Sequence, residues 1–155
     1  MSGLSDFFQT NPLYPFRFEP VYKHYLWGGS RLKELFNRSM NSEADCTAES
    51  WEVTDHPHGQ SVVKNGQLRG TTLNDIVQYA PTKLFGQETV NSDVPPKQFP
   101  LLFKYLDAKQ TLSVQVHPDI ETIEKLQLND NEKNECWLVA EAEPDSFLYL
   151  GTGRK

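Results

Sequence analysis

Frequent turn residues constrain this chain more than any other feature: nine glycines and ten prolines interrupt it so often that its apolar runs stay short. "YPFRFEPVYKHYLW", "FPLLFKYLDA", "TLSVQVHP" and "ECWLVAEAEPDSFLYLGT" mix aromatic and β-branched residues with charges, which favours short strands between turns. "ESWEVTDHPHGQSVVKNG" reads as two more strands around an Asp-His-Pro-His-Gly turn, with a second turn at Asn65-Gly66. Helical signals are fewer. "SRLKELF" predicts one or two turns with Ser30 as N-cap and Leu32, Leu35 and Phe36 on one face. Thr72 opens the clearest helix: Asp75 completes a near capping box, and Leu73, Ile76, Val77 and Ala80 form one stripe until Pro81 limits it. "DIETIEKLQL" predicts a short acidic helix, and "GQETVNSDVPPKQ" a loop. The sum is an all-β fold class with helical insertions, built as a sandwich or barrel.

A chain of 155 residues holds one domain with a real core. Residues 1–12 are polar and expected to fray, leaving 13–155 as the folded part. With 37% hydrophobic and 23% charged residues, and no apolar run of bilayer length, no membrane association is expected. "MSGLSDFFQTNPLYPF" has neither a basic opening nor a sustained apolar stretch, so no secretory signal is read there. Cys46 and Cys136 fall in no metal-ligand spacing and make no disulfide framework, and the expected location is cytoplasmic. The net charge of −6 comes from scattered acids, without the run of Lys and Arg that nucleic acid would require.

The residues able to carry chemistry lie in two apolar strand-like runs and one mixed segment. In "LSVQVHPD" the apolar Leu112, Val114 and Val116 alternate with Ser113, Gln115 and His117, so a strand here would present a hydroxyl, an amide and an imidazole on one face. A neutral imidazole and an amide oxygen can both ligate a metal, though the same pair also serves as an ordinary surface or core pair. Glu135 opens "ECWLV" and adds a carboxylate that, taken by itself, reads better as a charge at a strand end; Lys133 precedes it by two. Lys104 is the only charge in "FPLLFKYL". It either snorkels from an edge strand or lines a polar cavity that admits an anion. Asp55, His56 and His58 crowd a Pro-Gly turn and read as solvated turn residues.

"YLWGGSRL", "ESWEVTDHPHG", "FPLLFKYLDA", "LSVQVHPD" and "KNECWLVAEAEP" stand in the order and spacing of type I mannose-6-phosphate isomerases, which the chain resembles over residues 15–150. The resemblance implies a cupin-type jelly roll, incomplete here, with 13–155 as an N-terminal cupin domain. It implies a zinc ion held by Gln115, His117 and Glu135, matching the family's Q-x-H and K-x-E patterns. It places Ser113, Lys104 and Lys133 in a sugar-phosphate pocket with Trp27 and Glu49 along its wall. The implied reaction interconverts mannose 6-phosphate and fructose 6-phosphate. Family members are longer, and a further metal-binding histidine and a catalytic arginine come from the part that would follow "YLGTGRK". No histidine follows Glu135 here, and the only later arginine is Arg154. The expected partners are therefore a sugar phosphate and either a separate C-terminal half or a second copy. The rival reading is a non-catalytic cupin module, or gene fragment, binding a sugar phosphate or partner protein.

Overall fold

Three short antiparallel sheets and six helices make up the computed structural model, which describes residues 2–37, 46–128, 132–149 and 151. The chain divides into two units, 1–112 and 113–155. In the first, helix α1 (Ser2–Thr10) replaces the fraying expected at the start. Its Phe8 is buried with Val63, Leu68, Ile76 and Ala80, and Leu4, Phe7, Leu13 and Tyr14 pack around them. The apolar Leu4, Phe7 and Phe8 share one helical face, and burying that face fixes the segment.

Strand β1 (Phe18–Glu19) pairs with β6 (Val62–Val63), and β4 (Asp55–His56) with β5 (Gly59–Gln60) across the expected Pro57-His58 turn. The sheet that carries the candidate residues runs β2 (Val21–Lys23), β3 (Glu49–Val53), β7 (Phe103–Leu106). Register sets Val21, Trp51 and Lys104 in one row, and Lys23, Glu49 and Leu106 in the row two positions on, on the same face. A bulge between Trp51 and Val53 ends the regular pairing with β7.

Helix α2 (Arg31–Phe36) forms as its pattern requires and buries Leu32, but Leu35 stays exposed and Ser30 bonds the Glu34 side chain instead of capping the backbone. The Asp107 carboxylate takes over that capping role, accepting from the Arg31 amide at 2.7 Å. Helix α3 (Leu73–Tyr79) has the complete capping box between Thr72 and Asp75. Pro81 then opens α4 (Pro81–Phe85), and α5 (Gln87–Val90) forms one turn where a loop was expected.

The second unit differs most from the sequence-based expectation. Helix α6 (Ile120–Leu126) is present, N-capped by Asp119. The strands expected at 112–117 and through "ECWLVAEAEPDSFLYL" form no ladder among the described residues. A ladder needs a neighbouring strand to take up its N–H and C=O groups, and alternation alone supplies none. Small antiparallel sheets with helices are what the described residues form. No described helix is long and apolar enough to cross a membrane.

Candidate functional site

Each unit holds one cluster of the expected residues. In the first, Trp27, Glu49 and Lys104 come from three separate segments. Gly28 and Gly29 let the segment after Trp27 lie against the sheet: a Cβ on Gly28 would meet the Ala48 backbone at 2.7 Å, and one on Gly29 the Asp107 carboxylate at 2.6 Å. Bridges from Gly28 to Ala108 and Gly29 to Thr47 fix this approach. The half-buried Trp27 accepts the Lys109 and Gln110 amides at its carbonyl, and its ring stacks on Tyr25 at 5.5 Å.

Glu49 is buried, 7% exposed, and both of its oxygens are engaged. Lys104 Nζ lies 3.1 Å from Oε1, and the Trp51 indole N–H donates to Oε2 at 2.6 Å. Lys104 thus stands on an edge strand but is paired instead of snorkelling. Burial, and then the Glu49 charge, raise the Tyr25 phenol above its ordinary pKa, so it stays a neutral hydrogen-bond donor through the physiological range.

In the second unit the structure brings together His117, Lys133 and Glu135. Lys133 Nζ is 2.9 Å from Glu135 Oε1 and 3.2 Å from His117 Nε2, while Glu135 Oε2 is 3.8 Å from the same nitrogen. An ammonium only donates, so this pairing needs a lone pair on Nε2 and the proton on Nδ1. That lone pair is the one a metal would take. A nitrogen and an oxygen on one tetrahedral zinc, at ~2.0–2.1 Å each, sit roughly 3.3 Å apart, so the observed pair needs only a small closure.

An imidazole nitrogen and a carboxylate oxygen are donors that zinc accepts, and here the Lys133 ammonium pairs with both. Among the described residues no group of three or more His, Cys, Asp or Glu side chains gathers for a metal, and the third donor that the resemblance implies is Gln115. It is exposed, as is Ser113, and no hydrogen bond holds either among the described residues.

Asp55 corrects the expectation of a solvated turn. It is buried and accepts from Gln60 at 2.8 Å, Asn74 at 3.3 Å and the Phe99 amide at 2.8 Å, tying β4, β5 and α3 together. Trp51 and Asp107 were not singled out from the sequence. The i, i+2 spacing of Glu49 and Trp51 on a strand carried the signal for the first; nothing local marks the second.

The family profile described as phosphomannose isomerase type I, catalytic domain, matches residues 15–145. A probable mannose-6-phosphate isomerase of Bacillus subtilis, GmuF, is 42% identical over 142 residues, covering 92% of this chain and 41% of that protein. The mannose-6-phosphate isomerase of Streptococcus mutans is 41% identical over 127 residues, covering 81% of this chain and 37% of its own. The crystal structure of the mannose 6-phosphate isomerase from B. subtilis superposes with a TM-score of 0.59 at 34% identity, over 74% of this chain and 34% of that one. The chain thus spans about two-fifths of the length of these two curated relatives.

Proposed function

Because the chain belongs to the type I phosphomannose isomerase family, we propose that it serves an aldose-ketose isomerisation between mannose 6-phosphate and fructose 6-phosphate, on a cupin-type jelly roll. The convergence of His117, Lys133 and Glu135 carries this reading, since their polar atoms meet within 3.8 Å although sixteen residues separate the first two. His117 and Glu135, with Gln115, would hold zinc. When bound, zinc supplies Lewis acidity to substrate oxygens that gain negative charge as a proton passes between C1 and C2. In the second unit Ser113 and Lys133 offer a hydroxyl and an ammonium to the sugar phosphate. In the first, Lys104 offers an ammonium already paired with Glu49, and the Trp27 ring stacks on Tyr25 in the same unit. Fixing the phosphosugar through such groups lowers the entropic part of the barrier.

Zinc content after dialysis, and calorimetric binding of mannose 6-phosphate to the zinc-loaded protein, test this reading. Stoichiometric zinc and saturable binding are expected, with mannose bound far more weakly than its 6-phosphate. A protein that retains no zinc and binds neither sugar overturns it.

A further inference from the structure

We propose that Trp51 is a positioning residue for Lys104, acting through Glu49. The inference rests on the reading above that Lys104 contacts the sugar phosphate. An indole has one polar atom, and Trp51 uses it to donate to Glu49 Oε2 at 2.6 Å, shorter than the usual N–H···O distance. The other oxygen is thereby left to Lys104 at 3.1 Å. Without that donor, the buried carboxylate could rotate and present either oxygen, or both, to the ammonium, and the position of Nζ would no longer be unique.

The indole itself is held on three sides. Lys23 Nζ sits 4.4 Å above the ring, the His56 ring meets it edge-on at 5.7 Å, and Gly59 lies so close that a Cβ there would be 3.0 Å from Cε3. Lys23 directly opposes Glu49 in the sheet yet sends its ammonium to the His58 carbonyl at 2.6 Å, and so leaves the carboxylate to Lys104. A small, fixed set of contacts thus runs from the β4–β5 hairpin through the indole to the one charge on β7. The carboxylate also cancels the local charge of Lys104, so what Lys104 offers a ligand is a directed hydrogen bond more than a field.

Three variants of the full chain test this: Trp51→Phe, which keeps an aromatic ring and removes the N–H; Glu49→Gln, which breaks the same link without touching the indole; and Lys104→Met. Calorimetry with mannose 6-phosphate should show each weakened about tenfold, the scale of one charge-assisted hydrogen bond. The double variant Trp51→Phe/Lys104→Met should bind no more weakly than Lys104→Met alone, as residues acting through one group do. A second readout needs no substrate: the Trp51 indole N–H resonance should move in both Glu49→Gln and Lys104→Met. Wild-type binding by Trp51→Phe and Glu49→Gln beside a weakened Lys104→Met overturns the positioning role and leaves the Lys104 reading standing. Wild-type binding by Lys104→Met removes the Lys104 reading and the positioning role with it, even if the resonance moves.

Discussion

Lys133 holds the position a cation would take between His117 and Glu135, 3.2 Å from the imidazole nitrogen and 2.9 Å from the carboxylate. A metal entering there must displace a like charge that already satisfies both donors. His117→Ala should therefore lose zinc on dialysis, whereas Lys133→Met should hold it at least as tightly as wild type, measured by metal analysis of both. Equal zinc in wild type and His117→Ala would remove the imidazole from the site. Tyr25 gives a second test at this scale. Burial first and Glu49 second raise its phenol pKa, so its contribution to stability is fully present below the unfolded-state value of about 10 and is lost as pH rises through the folded one. Spectrophotometric titration should show Tyr25 ionising late. Glu49→Gln should lower its pKa only in part, because burial, the larger cause, remains. Full reversion to the ordinary value would assign the shift to the charge alone.

Glycine at position 28 is required by space and not by backbone angle, since a Cβ there would strike the Ala48 amide, Cα and Cβ at 2.7–2.9 Å. Backbone cannot rotate away as a side chain can. Gly28→Ala should cost about 1–3 kcal/mol, the range for overpacking, whereas Gly70→Ala meets no atom within 4 Å and should act only through its left-handed φ of 90°. Urea denaturation of the two variants compares them. For α6, the Asp119 carboxyl is lowered in pKa chiefly by the Thr122 side-chain hydrogen bond. Its cap is thus present above the ordinary carboxylate value and lost as pH falls through the depressed one, with a loss of helix signal that Asp119→Ala should abolish. Elements whose signal is local are legible from sequence: the Thr72 capping box, the Asn65-Gly66 turn, α6, and β7 around its single lysine. Helix α1 is not, because what fixes it is the tertiary burial of Phe8. The strands expected at 112–117 and through "ECWLVAEAEPDSFLYLGT" form no ladder among the described residues, because alternation says which face a strand would bury and nothing about whether a neighbour is present. Of the candidate residues, Lys104, His117, Lys133 and Glu135 were legible as chemistry-bearing and Glu49 only through the family resemblance, but the Glu49–Lys104 link depends on a register that short runs leave open.

At the scale of the whole polypeptide, strand-like apolar residues stand outside any ladder among the described residues: Val114 is 96% exposed, Val116 87% and Leu138 92%, with Phe147 and Tyr149 exposed as well. Groups of this kind lower their free energy by pairing with another strand and burying their apolar face. Sedimentation of the isolated polypeptide should accordingly show concentration-dependent self-association, reduced in Val114→Ser/Val116→Ser. A single monomeric species across the concentration range would remove strand pairing as the role of these exposed residues.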